Sequence, residues 1–218
     1  CNQKTKIELE FYSINDMHGK FDDSYFNLGV DEMTAYLRSA TTTNENAVLF
    51  SAGDMWQGSA ESNFTRGAIV TEWMNRMGFA AMTLGGHEFD WGEEWVRKNG
   101  LLAEFPLLGI NVYDRNTDQQ VDYCQSSLMV ETEGVQIGII GAIGDCYDSI
   151  SSENTKDIYF KTGAELTALV KAESQRLRDQ GADFIVYTLH DGYNKTTSDT
   201  SAMTVGAQEL ESYYDTSL

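Results

Sequence analysis

Cysteine is scarce in this sequence, which carries only Cys1, Cys124 and Cys146 among its 218 residues. Small secreted proteins that rely on disulfide bonds carry more cysteines than this, usually in even number. We therefore expect a fold that does not depend on a disulfide framework.

Positive charge is scarce as well, because 15 lysines and arginines stand against 34 aspartates and glutamates and leave a net charge of −19 at pH 7. Proteins hold nucleic acids largely through contacts from Lys and Arg to the phosphates. The acidic balance therefore argues against non-specific nucleic-acid binding, since the two molecules would repel each other.

Long apolar runs are absent too. No stretch approaches the ~18 consecutive apolar residues of a membrane-spanning helix, so the sequence predicts no membrane span. Hydrophobic residues nevertheless make up 41% of the chain and aromatic residues 11%, which argues against intrinsic disorder. A chain of this length can bury a substantial core and fits a single domain.

The hydrophobic pattern predicts strands that alternate with amphipathic helices, which indicates an α/β layered fold. Some antiparallel pairing is expected in the region 124–143, and residues 113–122 are predicted to be a polar turn region. The predicted strands are residues 7–14, 47–52, 80–84, 106–110, 127–131, 136–143 and 182–189. The predicted helices are residues 28–40, 69–77, 91–103 and 162–180.

The first six residues have the character of a polar tether in front of a domain that spans residues 7–218. Mature bacterial lipoproteins begin with a lipid-bearing cysteine followed by such a tether, so Cys1 is a candidate lipid anchor. An arbitrary start of the sequence or a reduced surface thiol would explain Cys1 equally well. The lipoprotein interpretation predicts an extracellular, periplasmic or cell-surface location.

Histidine occurs three times, and each histidine lies just after a predicted strand with an aspartate within three positions. Taken singly, an aspartate or histidine after a strand is an ordinary turn or helix-capping residue. Taken together, His18, His87 and His190 indicate a shared site, because ligands of open α/β sheets bind beyond the carboxyl ends of the strands.

The residue types at these strand ends fit a metal site. Aspartate oxygens and imidazole nitrogens suit Mn, Fe or Zn, whereas the cysteines lack zinc-ribbon spacing. Asp16 and His18 are two residues apart, so an extended strand end would place both side chains on one side and let them share an ion. Asp54, from the neighbouring loop, could bridge to a second ion. Paired cations would also explain how so acidic a protein attracts an anionic substrate.

Four motifs carry a resemblance that covers residues from about 7 to about 192. The chain is similar to the N-terminal domain of the 5′-nucleotidase family of calcineurin-like metallophosphoesterases. The matching motifs are Asp16-Met-His18-Gly, Gly53-Asp54-x-x-Gln57-Gly58-Ser59, Gly-His87-Glu88-Phe89-Asp90-x-Gly92, and His190 after an apolar strand.

The resemblance implies a layered αββα sandwich of two mixed sheets flanked by helices, and a hydrolase that releases phosphate from nucleotides. It also implies two divalent metal ions, which could be Mn, Zn, Fe, Mg or Ca. In that family pattern Asp16 and His18 match ligands of the first metal and Asp54 matches the bridging carboxylate. His190 matches a ligand of the second metal.

His87 and Asp90 match the catalytic pair of the family. The resemblance implies that the imidazole lies near the phosphoryl group or the leaving oxygen. Asp90 would then orient that imidazole and favour its charged form.

The sequence departs from the family pattern in two places. Gly86 stands where the family has an asparagine that binds the second metal, so metal binding there should be weaker. We interpret Gly86 as a turn residue with positive φ. The family also has a later Gly-His-x-His segment and a C-terminal domain that recognises the nucleoside. We expect the chain to stop at Leu218, before both of them.

Three functional hypotheses remain open on the sequence. The protein is the metal-binding half of a nucleotidase-like hydrolase, a degenerate surface module that binds without catalysis, or a hydrolase of another phosphoester such as a cyclic nucleotide or nucleotide sugar. In each case the expected partner is a nucleotide or another small phosphoester.

Overall fold

The computed structural model describes residues 6–24, 28–144, 146 and 150–191, and these ranges contain both strands and helices. The strands are β1 (Glu10–Ser13), β2 (Ala47–Ser51), β3 (Ala81–Thr83), β4 (Leu107–Leu108), β5 (Val112–Asp114), β6 (Ser127–Thr132), β7 (Val135–Ile143), β8 (Ile158–Phe160) and β9 (Phe184–His190). The helices are α1 (Val30–Thr43), α2 (Ala60–Thr65), α3 (Ala68–Met77), α4 (Glu93–Leu102) and α5 (Gly163–Asp179), with a 3₁₀ turn at His87–Phe89.

The first sheet contains β1, β2, β3 and β4 in that order, and all neighbouring pairs are parallel. Helices connect its strands, as parallel pairing requires. The carboxyl ends of these strands therefore lie at one edge of the sheet. The loops after β1, β2 and β3 meet at that edge, and these loops carry Asp16, Asp54 and His87.

The second sheet has the order β6-β7-β9, with β7 antiparallel to β6 and parallel to β9. Ile143 at the end of β7 lies opposite His190 at the end of β9. The last strand of this sheet thus delivers His190 to a carboxyl end, as the sequence predicts.

The two sheets pack face to face. The hydroxyl groups of Thr83 in the first sheet and Thr188 in the second sheet are hydrogen-bonded. Gly141 on β7 permits this approach, because a Cβ atom there would overlap the side chains of Leu108 and Thr83. The predicted α/β sandwich is confirmed, although the described strands of the first sheet are all parallel and only the second sheet is mixed.

Helices cover the outer faces of both sheets. Helix α3 contacts α1 and α4, and its Val70 and Met74 are completely buried in the core against the first sheet. Helix α5 packs against β7 through a stripe that includes Val170 and Leu177. Among the described residues, no helix combines the length and the apolar character that crossing a membrane requires.

The sequence pattern missed the small sheet in which β5 pairs antiparallel with β8. Both strands are only three residues long, and β5 begins just ahead of the segment predicted as a polar turn region. Helix α2 was missed for the same reason, since six residues are too few to show a helical period.

Candidate functional site

The loops that follow β1 and β2 run side by side and are joined by backbone hydrogen bonds. The amide of Asp16 donates to the carbonyl of Gly53 at 2.9 Å, and the amide of His18 donates to the carbonyl of Asp54 at 3.1 Å. These bonds keep the two loops side by side beyond the ends of the strands. They place the side chains of Asp16, His18 and Asp54 in one small region.

These same three residues are among the six described non-glycine residues that have positive φ. Asp16, His18 and Asp54 have φ angles of 54°, 52° and 55°, in the left-handed region that residues with a side chain seldom adopt. Such conformations cost about 1–3 kcal/mol each and persist only where the surroundings fix them. They cluster at functional sites, so their location here supports a functional role for this edge.

Each of the three histidine rings is anchored through its Nδ1 atom. The partners are the Gln57 carbonyl oxygen at 2.9 Å for His18 and the Ala52 carbonyl oxygen at 2.7 Å for His190. His87 is anchored to Asp90 Oδ2 at 2.7 Å. A carbonyl oxygen can only accept, so Nδ1 of His18 and of His190 carries the hydrogen and Nε2 remains available to bind a cation.

The ligand atoms form two groups of three that share Asp54. His18, Asp54 and His87 offer atoms that all lie within 4.8 Å of one another, and the same holds for Asp16, Asp54 and His190. A mixed set of carboxylate oxygens and imidazole nitrogens fits Mn, Zn or Fe. The sequence paired Asp16 with His18, whereas in the structure Asp16 is grouped with His190.

Asp54 and His190 form a buried ion pair, with Nε2 of the imidazole 3.2 Å from Oδ2 of the carboxylate. Burial opposes the charged imidazolium, but the hydrogen bond and the charge of Asp54 outweigh it and raise the pKa of His190 to about 9. Burial likewise opposes the carboxylate, yet His190 lowers the pKa of Asp54 below its usual value. Protonation of Nε2 and binding of a cation therefore compete for the same position.

His87 and Asp90 lie at the more exposed rim of the site. Burial lowers the pKa of His87, but the hydrogen bond to Asp90 and the charge of Asp54 outweigh it and raise the pKa above its usual value. The backbone amide of His87 donates to Oδ1 of Asp54 at 2.8 Å. The pair thus has a fixed position relative to the shared carboxylate.

Comparison with known proteins agrees with this geometry, although no family model matches the chain. The 5′-nucleotidase of Diplobatis ommata is 28% identical over 200 residues, which cover 86% of this chain and 34% of that protein. The solved structure of a 5′-nucleotidase precursor from Thermus thermophilus matches with a TM-score of 0.74 at 25% identity, over 85% of this chain and 37% of that one. The calcineurin-like phosphoesterase YfkN from Bacillus subtilis matches with a TM-score of 0.72 at 19% identity, over 88% of this chain and 64% of that one.

This chain is a relative of the 5′-nucleotidases. It has the calcineurin-like phosphoesterase fold. It spans about a third of the length of the curated 5′-nucleotidases that it matches, at 34% and 33% for two of them.

Gly86 is one of the two places where the sequence is expected to depart from the 5′-nucleotidase pattern. The sequence predicted a positive φ at this position, and that prediction is wrong, because Gly86 has φ −66° and ψ −44°. Residues with a side chain adopt such a conformation easily. The neighbouring Gly85 is the constrained position, since a Cβ atom there would overlap the carboxylate and the amide of Asp54.

Glu88 is the site residue that sequence reasoning missed. Its side chain is fully buried, with 0% exposure, and it accepts hydrogen bonds from the amides of Asp54, Met55, Trp56 and Gly85. An acidic residue between two residues of the catalytic motif was a visible signal. Only the fold shows, however, that it faces inward and not toward the solvent.

Proposed function

We propose that the protein is a metal-dependent phosphoester hydrolase that releases phosphate from nucleotides through a site with two divalent metal ions. The observation that carries this proposal is the position of Asp54, whose carboxylate belongs to both groups of potential ligands. A single carboxylate shared by two sets of nitrogen and oxygen donors is suited to bridge two cations.

The described residues fit the metals that this function needs. When bound, divalent cations would supply the positive charge that attracts a phosphate and stabilises the charge that develops during hydrolysis. Asp54 would bridge them, and Asp16, His18 and His190 would supply further protein ligands. The hydrogen bonds from the rings of His18 and His190 to the carbonyls of Gln57 and Ala52 orient both rings for that role.

His87 belongs to one of the two groups of potential ligands, but the proposal gives it a different role. Its raised pKa favours the protonated ring, which can donate from Nε2 to a phosphoryl oxygen or to the leaving oxygen. Asp90 binds Nδ1 and therefore orients the ring and stabilises its positive charge. The backbone of Asp90 is in turn held by Nδ2 of Asn154, which donates to its carbonyl at 2.8 Å.

The nucleotide substrate is proposed from the relatives, whose printed names are 5′-nucleotidase and apyrase. A location outside the cytoplasm and a lipid on Cys1 remain predictions, and residues 1–5 lie outside the described part of the chain. Recognition of the nucleoside by a further C-terminal domain remains a prediction as well.

One observation favours the alternative of a binding module without catalysis. Gly86 offers no side-chain oxygen where the resemblance implies a ligand of the second metal. If that ligand is not replaced, the second cation is held weakly and the phosphate meets less positive charge.

The two functions are separated by an assay of hydrolysis in the full-length protein. The substrates are a nucleoside monophosphate, a cyclic nucleotide, a nucleotide sugar and an aryl phosphate, each tested with Mn²⁺ or Zn²⁺ and with a chelator. Released phosphate is measured for the monophosphate and the aryl phosphate, and the product nucleotide is measured by chromatography for the cyclic nucleotide and the nucleotide sugar. We expect metal-dependent release from the monophosphate, reduced at least ~100-fold in Asp54→Asn because the shared carboxylate is lost. The control is Asp122→Asn, which removes an exposed carboxylate paired with Arg97 and should leave the rate unchanged. Absence of metal-dependent hydrolysis of every substrate would contradict a hydrolase and support the binding module.

A further inference from the structure

The side chain of Glu88 is buried, and the proposed reaction does not use it. It lies directly beneath Asp54, the residue that both groups of potential ligands share. Oε2 of Glu88 accepts from the amides of Asp54 at 2.9 Å and of Gly85 at 2.7 Å. Oε1 accepts from the amides of Met55 at 2.9 Å and of Trp56 at 3.4 Å. One side chain thus satisfies four backbone donors that would otherwise be buried without a partner.

These donors belong to two different loops. The amides of residues 54–56 come from the loop after β2, and the amide of Gly85 comes from the loop after β3. Glu88 lies in the 3₁₀ turn next to His87, so it joins the loop that carries Asp54 to the turn that carries His87. The separation of these two side chains therefore depends on Glu88.

The loop after β2 needs such support because its conformation is unfavourable on its own. Gly53 and Asp54 have φ angles of 103° and 55°, and these angles turn the successive amides of residues 54–56 inward. Consecutive amides that point to one side form a concave site for an anion. In this protein the carboxyl group of Glu88 occupies that concave site and stabilises the strained turn.

We propose that Glu88 is a positioning residue that acts through Asp54: its carboxylate holds the 53–56 loop and thereby presets the shared ligand for metal binding. The proposal rests on the proposed function for its metal, but the hold on the loop amides is independent of it. Glu88 lies behind Asp54 and has no exposed surface, so it would not itself contact a substrate.

The test uses the substitution Glu88→Gln in the full-length protein. The glutamine side chain has the same size and keeps one acceptor oxygen, but its NH₂ group replaces the other oxygen. The two backbone amides that donate to that oxygen therefore lose their acceptor. We expect Mn²⁺ affinity, measured by calorimetry, to fall at least ~10-fold, as it does when residues that orient metal ligands are removed. Hydrogen exchange at the amides of Asp54, Met55 and Gly85 should accelerate. Glu88→Asp, which keeps the charge but is shorter, should show an intermediate loss.

The matched control is Asn99→Ala. Asn99 is also buried and polar, with 2% exposure, and it joins α4 to the carbonyl of Arg66. Its loss should lower the melting temperature without changing Mn²⁺ affinity or exchange at the three amides.

The possible outcomes distinguish the hold of Glu88 on the 53–56 loop from a general effect on stability and from the proposed function. Wild-type Mn²⁺ affinity and wild-type amide exchange in Glu88→Gln would overturn the proposal, and so would an equal loss of affinity in Asn99→Ala. If the wild-type protein binds no Mn²⁺, the proposed function fails. Hydrogen exchange at the three amides then tests by itself whether Glu88 holds the 53–56 loop. If Glu88→Gln does not fold, Glu88→Asp and protection of these amides in the wild-type protein provide the same test.

Discussion

At the scale of single residues, the sequence predicted where the candidate ligands lie because each motif is local, and their roles as metal ligands stay a prediction. Asp16, His18, Asp54 and His190 all lie at the edge where the sequence placed them, with strand ends as the signal. The buried orientation of Glu88 could not be predicted, since it depends on amides that come from other positions along the chain. The φ of Gly86 was predicted wrongly because a glycine after a strand does not reveal its own backbone conformation.

Gly86→Asn tests whether this glycine weakens the second metal position. Because Gly86 has helical φ and ψ, an asparagine fits there without backbone strain. We expect Gly86→Asn to bind Mn²⁺ more tightly, by about 10-fold or more, and to release phosphate faster. Calorimetry and the phosphate assay on both versions measure these changes.

The control for this substitution is Gly134→Asn, in the turn between β6 and β7. A Cβ atom at Gly134 would meet open space, and asparagine tolerates the positive φ there better than most residues. Metal affinity and rate should stay at the wild-type level in this variant. No gain in either quantity for Gly86→Asn would mean that another group already completes the site.

The ion pair of His190 and Asp54 predicts how the stability of the metal-free protein depends on pH. The pKa of His190 is raised to about 9 in the folded state, compared with about 6.5 in an unfolded chain. The pair therefore contributes fully below pH ~6.5, and its contribution is lost as the pH rises through about 9. In the presence of a chelator, the melting temperature of the wild-type protein should fall across this range more steeply than that of His190→Gln. Parallel curves for the two proteins would contradict the assignment.

At the scale of elements, the long strands and helices were predicted because their hydrophobic periods are clear. Helix α5 was predicted at residues 162–180 and is observed at Gly163–Asp179, followed by Gly181 with φ 99°. The β5–β8 pair was missed because three-residue strands show no period, and their pairing joins segments that lie far apart in the sequence. Such a pair is stabilised by its surroundings and not by its own sequence.

Asn111 is one of the residues that stabilise the β5–β8 pair. Its side chain is completely buried, accepts from the amide of Ile143 at 3.0 Å and donates to the carbonyls of Ile143 at 2.7 Å and Lys161 at 3.0 Å. It thus connects the start of the β5 region to β7 and to the residue after β8. We expect Asn111→Ala to lower the free energy of unfolding by about 2–4 kcal/mol, because buried backbone groups lose their partners. Urea denaturation measures this, with the exposed Asn116→Ala as a control, and a change below ~1 kcal/mol would contradict the bridging role.

At the scale of the whole molecule, the layered fold followed from the alternation of strands and helices, but the packing of one sheet on the other did not. This packing decides which ligands meet. His190 reaches Asp16 and Asp54 only because β9 lies opposite the first sheet, where Thr188 contacts Thr83. The sequence therefore predicted that the ligands converge but not how they divide into groups.

The net charge of −19 gives the metal ions a second role at this scale. An acidic protein repels a phosphate, and only bound cations can reverse the sign of the potential at the strand ends. We therefore expect two cations to bind beside Asp54, and not merely somewhere on an acidic surface.

The most direct test is a crystal structure of the protein grown with Mn²⁺, with anomalous diffraction used to locate the ions. We predict two anomalous peaks on either side of the Asp54 carboxylate, within coordination distance of Asp16, His18 or His190, and their loss in Asp54→Asn. A single peak, or peaks only at exposed carboxylates elsewhere on the surface, would contradict the two-metal site.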